Sequence, residues 1–167
     1  MGKKSLEIAG PNVEKNIGML HRAYAFEMQT AHYFQYIANN IEGLGVLFED
    51  FFAEHAKEEQ GHAGEINERL MELGTNPTDD PASWAQESGV GKTESKKYLS
   101  LRSALERALE LERFGIGLYN NLANATKDND HGTYQLALKL LTAELEDEQT
   151  IEDILSRLEI RDTGPSS

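Results

Sequence analysis

The chain has 167 residues, 39% of them hydrophobic and 27% charged, enough for one domain around a single core. Sixteen Lys and Arg stand against 29 Asp and Glu, a formal net charge of −13, which disfavours a nucleic-acid surface built on a basic patch. No cysteine is present, so disulfides, zinc–thiolate sites, iron–sulfur clusters and thiol nucleophiles are excluded together. Lys3 and Lys4 are too few for a DNA-binding arm, and direct DNA binding is not expected. No apolar run approaches the roughly 20 residues of a membrane helix. The opening segment lacks the apolar stretch of a signal peptide, and Leu6 breaks the myristoylation pattern, so a cytoplasmic location is expected.

Residues 1–9 read as a short tail. Pro11 suits a first helical turn, and Leu20, Ala23, Glu27, Ala31, Phe34, Ala38 and Ile41 then recur at the spacing of one helical face, predicting a helix over about 11–40. Gly43 and Gly45 interrupt it. A second helix, about 45–73, carries Phe48, Phe52, His55, Glu59, His62, Ile66, Leu70 and Leu73 on one face, with Gly74 as its C-cap. The stretch from 75 to 97 holds loop chemistry, and Asp80-Pro81 can open one short helix around Trp84, which anchors the loop. A third helix, about 98–126, aligns Leu101, Leu105, Ala108, Glu112, Ile116, Tyr119 and Leu122. After a turn at 127–132, a fourth helix, about 131–159, aligns Tyr134, Leu138, Leu141, Glu144, Glu148, Ile151, Leu155 and Leu158. Residues 161–167 form a C-terminal tail. No segment alternates, so no sheet is expected.

Each helix would span about 42 Å at a rise of about 1.5 Å per residue. Two connections are short and the middle one is long. That pattern predicts an all-α, four-helix bundle over 10–160, with one long crossover between the second and third helices.

The two halves superimpose at a shift of 85 residues: Leu20 meets Leu105, Arg22 meets Arg107, Glu27 meets Glu112, and Glu59 meets Glu144. Shared apolar positions prove little, because any two amphipathic helices share a period. A carboxylate on the apolar stripe, repeated twice, is more telling. Glu27 to Glu59 and Glu112 to Glu144 are each 32 residues apart, so antiparallel helix pairs of equal register bring all four to one level. An unpaired buried carboxylate costs several kcal/mol and must be neutral, paired or bound to a cation. Solvated positions at the core edge would explain one such Glu, but four would each need a separate reason. Basic partners are scarce, since Arg22 and Arg107 lie more than a turn away. A metal remains. His62, three residues after Glu59, projects from the same side of its helix. Oxygen ligands with one or two nitrogens suit iron or manganese better than structural zinc.

These features resemble the ferritin-like superfamily, whose inward-facing Glu and Glu-x-x-His pattern is well described. The segments from Ala25 to Phe34 and from Glu58 to His62 resemble the first-half ligand segments of bacterioferritins. The resemblance implies a di-iron centre on Glu27, Glu59, His62, Glu112 and Glu144, with Glu59 and Glu144 bridging, and two iron ions per subunit for which manganese or zinc can substitute. It implies oxidation of Fe(II) by O2 or H2O2, storage of the Fe(III) mineral in a homo-oligomeric cage, and protection against oxidative stress. Two positions depart from the family pattern. Asp147 stands where the second histidine is expected, with Glu148 as an alternative ligand. The sequence also stops nine residues after Leu158, without the fifth helix of 24-subunit ferritins. An intrasubunit site without that helix resembles archaeal Dps-like ferritins, which implies twelve subunits with 24 as the runner-up. The cysteine pair associated with those proteins is missing. No haem is expected, because Gln60 occupies the place of the haem-binding methionine.

Other positions stay open. Tyr119, two turns after Glu112, is either core packing, like its repeat mate Phe34, or a redox relay. His55 is either a satisfied core histidine or a guide for incoming iron. His32, Tyr33 and Tyr36 read as packing residues or as contacts to a neighbouring subunit. Two other functions compete: a non-storage di-iron or di-manganese oxidase acting on a small molecule, and a helical interaction module without metal.

Overall fold

The computed structural model describes residues 3–92 and 99–162. Helix α1 spans Lys3–Ala9, where the sequence suggests only a tail, and a 3-10 turn at Gly10–Asn12 leads into α2, Val13–Asn40. Gly10 takes φ +53°, a conformation that glycine adopts without steric cost, and the chain bends there. A second 3-10 segment, Gly43–Phe48, precedes α3, Glu49–Glu72. Gly74 ends α3 with φ +83°, and the Thr75 amide bonds back to the Leu70 carbonyl at 3.0 Å, closing a Schellman-type cap. The short α4, Trp84–Glu87, lies in the crossover. Helix α5 is Leu101–Thr126, with Ser100 accepting from the Ser103 amide as its N-cap, and α6 is His131–Asp162.

Helix α2 packs along α3 and α5 along α6, and the two hairpins meet through α2–α5 and α3–α6 contacts. The crossover climbs the outside of α2. Arg22 Nε donates to the Ser88 carbonyl at 2.9 Å, and Gln29 Nε2 donates to the Gly91 carbonyl at 2.7 Å. At its top, Glu42 donates its amide to the Leu99 carbonyl, and Ile41 and Leu99 form a lone parallel bridge. Among the described residues nothing longer than this bridge is extended pairing. The architecture is the expected all-α bundle with one long connection, and the connection carries a short helix.

Two apolar clusters fill the bundle. Phe26, Phe34, Ile37, Phe52, Leu105 and Ile151 pack at one end, and Leu20, Ile66, Leu70, Leu122 and Leu140 at the other. Fully burying one such side chain contributes about 2 kcal/mol. The lower end is tied by polar groups: Arg69 Nη2 donates to Asp130 Oδ1 at 2.7 Å, Arg69 Nε to Thr133 Oγ1 at 3.0 Å, and Asn16 to Asn129 and Asp130. That network locks the turn between α5 and α6 against α2 and α3.

The face of α6 is rotated from the sequence reading. Its buried stripe runs Thr133, Ala137, Leu140, Glu144 and Ile151, while Leu138 is 39% exposed. Steps of four and three residues carry this stripe through 147 and miss 148. Asp147 therefore sits on the inward side and Glu148 beside it, with consequences for the site.

Candidate metal centre

Between the two apolar clusters lies a polar layer. Glu27, Glu59, Glu112 and Glu144 are each at most 2% exposed, one from each long helix. They reach this layer because each occupies a core position of its helical stripe, and the helix pairs cross at equal register. Glu27, Glu59, His62 and Glu144 each offer a ligand atom within 4.8 Å of the others, so these four could hold a metal ion. His62 Nδ1 is the hub. It lies 3.2 Å from Glu59 Oε2 and 3.6 Å from both Glu27 Oε2 and Glu144 Oε1.

The electrostatics fit a cation held at this point. Burial first, and the Glu27 carboxylate second, push the Glu59 carboxyl well above the ordinary value of 4.5. Glu144 and Glu112 are raised for the same reasons, by burial and by the neighbouring acids. Burial pulls His62 down, but the Glu27 and Glu59 carboxylates around its Nδ1 overcome it and lift the imidazole to about 10. Glu27 Oε2 and both carboxylate oxygens of Glu112 and of Glu144 have no hydrogen-bond partner among the described residues. Orphaned buried carboxylates are costly, and a divalent cation satisfies several at once. Manganese, iron and zinc all accept this oxygen-rich set with one imidazole.

Glu112 completes the layer beside Glu144, with Glu59 and Asp147 raising its carboxyl. Asp147 faces His55: Oδ1 lies 3.4 Å from His55 Nε2. Burial lowers the His55 pKa, but Asp147 and the Phe51 carbonyl lift it to about 9. Glu148 is turned outward and accepts from Arg113 Nε at 2.7 Å. The structure thus brings Glu27, Glu59, His62, Glu112 and Glu144 into one layer, with Asp147 at its edge and Glu148 outside it.

Tyr119 takes a partner that its spacing does not name, and Gly115 is a residue that the spacing does not single out. Tyr119 is fully buried and its hydroxyl donates to Glu27 Oε1, so it is more than packing. Burial and the surrounding carboxylates raise its own pKa well above 10. Gly115, one turn after Glu112, leaves the space that Glu144 fills: a Cβ there would collide with Glu144 Oε2 and stand 3.0 Å from Phe26 Cε1. The available signal is a glycine on an apolar stripe, opposite Thr30 in the repeat. Trp84 and Tyr36 are half-buried, and Tyr33 is buried in the larger aromatic cluster.

A bundle of two helical hairpins joined by a long crossover, with carboxylates from all four helices at its centre, defines the ferritin-like class. The ferritin-like domain profile matches residues 17–160, and the chain belongs to that family. A DNA protection during starvation protein from Pyrococcus furiosus is 28% identical over 155 residues, covering 92% of this chain and 84% of that protein. The dodecameric thioferritin of Bacteroides fragilis, a bacterioferritin-related protein, superposes with a TM-score of 0.89 at 28% identity, over 99% of this chain and all of that one. A ferritin-like, diiron-carboxylate protein from Bacillus anthracis shares the fold, with a TM-score of 0.71 at 21% identity over 87% of this chain and 99% of its own. No described helix is long and apolar enough to cross a membrane.

Proposed function

We propose that this protein is a cytoplasmic iron-oxidising and iron-storing cage of twelve identical subunits. The observation that carries the reading is the buried convergence of Glu27, Glu59, His62 and Glu144, with Glu112 beside them. Fe(II) is the substrate. Glu27, Glu59 and His62 would hold one ion on the first-half side, and Glu112, Glu144 and Asp147 would hold the second, with Glu59 and Glu144 shared between the two. Electrons pass from Fe(II) to O2 or H2O2, and the Fe(III) product moves to a mineral in the cavity.

The chain's own residues set up that chemistry. The carboxylates give up protons when a cation enters and take them back when it leaves, since burial makes the uncompensated anions costly. His62 presents one ring nitrogen to three of them and supplies the softer donor that favours a first-row transition metal. Tyr119 holds Glu27 from the opposite hairpin. The acidic surplus of the chain draws Fe(II) toward the assembly.

The relatives named above support twelve subunits, one of them being described as dodecameric. Twelve chains of 18.7 kDa make a particle of about 224 kDa, and 24 make about 449 kDa. Light scattering separates the two. Aerobic addition of Fe(II) tests the activity: a storing cage oxidises many irons per chain and keeps the product soluble. Binding of two metals followed by no further turnover would favour an oxidase of a small organic molecule. A persistent monomer without oxidation would remove the proposal.

A further inference from the structure

The second half of the duplicated frame has lost its histidine, and a different helix puts one back. His62 in the first half corresponds to Asp147 in the second. His55 lies on the buried stripe of α3, one turn before Glu59, and its ring faces Asp147 across the bundle, Nε2 to Oδ1 3.4 Å. We propose that His55 is the nitrogen ligand of the second metal ion, binding through Nε2 together with Asp147, Glu112 and Glu144.

The tautomer is set by the backbone. His55 Nδ1 lies 2.9 Å from the Phe51 carbonyl oxygen, one turn earlier on the same helix. An acceptor on that side requires an N–H there, so the neutral ring keeps its lone pair on Nε2. Nε2 itself is buried and has no well-aligned hydrogen bond among the described residues. A ring nitrogen fixed by a carbonyl behind it, with its lone pair aimed at carboxylates, is the arrangement that metal-bound histidines use.

Packing denies the ring another place to go. Phe51 lies against it with centroids 4.2 Å apart, and Phe34 meets it edge-on at 5.9 Å. The carboxylates of Glu112 and Glu144 nearby are only 1% exposed and accept no hydrogen bond among the described residues, so the second-half side also leaves buried oxygens for a cation to satisfy. With His55, each ion gains one imidazole, and the short side chain of Asp147 no longer has to replace a histidine alone. This inference rests on the metal-centre reading above.

Anaerobic titration of the purified full-length protein with Co(II), followed by visible absorption and equilibrium dialysis, tests it. His55→Leu is a conservative probe, because Leu140 occupies the matching position in the other half. Wild type is expected to bind two Co(II) per chain. His55→Leu keeps the first and weakens the second by about tenfold or more, and adding Asp147→His to that variant restores the second. Two Co(II) bound by His55→Leu with wild-type affinities would overturn the assignment, as would equal loss of both. Wild type that binds no Co(II) would remove the metal-centre reading together with it.

Discussion

The Tyr119 hydroxyl on α5 donates to Glu27 on α2, so a carboxylate of the first hairpin is held by a phenol of the second. The bond crosses the bundle at the level of the acidic layer and gives one Glu27 oxygen a partner. Its other oxygen has none among the described residues.

Tyr119→Phe should therefore destabilise the metal-free protein more than the metal-loaded one. The ring still fills its site, but a buried carboxylate oxygen loses its donor, at a cost of about 1–3 kcal/mol. A bound cation compensates that oxygen. Urea unfolding with and without saturating Zn(II) measures the difference. Equal losses in both forms would show that the hydroxyl serves packing alone.

Glu59→Ala and His62→Ala should each abolish rapid Fe(II) oxidation while the chain stays helical. Phe52, Ile66 and Leu70, all fully buried, should keep α3 docked without either side chain. Stopped-flow absorbance after anaerobic loading reads the rate, and circular dichroism reads the helix. Wild-type rates in both variants would move the chemistry elsewhere.

How much of this was legible in the sequence depends on the kind of signal. Glu27, Glu59, His62, Glu112 and Glu144 stand out because a charge on an apolar stripe contradicts its neighbours, and duplication repeats the contradiction. The fold is legible for a similar reason, since helical periods and loop lengths are local. The face of α6 is harder. Leu138 attracts attention and Ala137 does not, yet Ala137 is buried and Leu138 is not, because the helix turns its small side chain toward its partner. A one-residue difference is about 100° of helix, enough to exchange Asp147 for Glu148 as the inward residue. Tyr119 and His55 act on partners 92 residues away in each case, and no local pattern announces such a pairing. The helix at Lys3–Ala9 is seven residues long and has no apolar repeat long enough to read.

Gly115→Ala should separate the site from the fold. Alanine favours a helix over glycine by about 1 kcal/mol, so the chain should not unfold. The new methyl would occupy the space of the Glu144 carboxylate. Co(II) affinity is expected to fall by about tenfold or more. Gly117→Ala, with no atom near its added carbon, is the control and should leave binding unchanged. Equal affinities in the two variants would show that Glu144 can move without consequence.

Metal removal should make stability depend on pH in a definite direction. Glu59, Glu112 and Glu144 have folded pKa values well above 4.5, raised first by burial and then by neighbouring carboxylates, Glu27 among them. Those of His62 and His55 rise from 6.5 to about 10 and about 9, because carboxylate partners outweigh burial. A group whose pKa is higher in the folded state adds stability below its unfolded value and loses that contribution as pH rises through the folded one. The glutamates begin to lose theirs above pH 4.5, and the histidines between 6.5 and 9 to 10. All five act in the same direction. The Tm of the metal-free protein should therefore fall steadily from about pH 6.5 to about 8.5, and saturating Zn(II), which takes the place of the protons, should flatten that slope. Thermal melts followed by circular dichroism, with and without the metal, measure both slopes. A metal-free Tm that is level or rising over this interval would mean that the acidic layer is not held as the geometry requires.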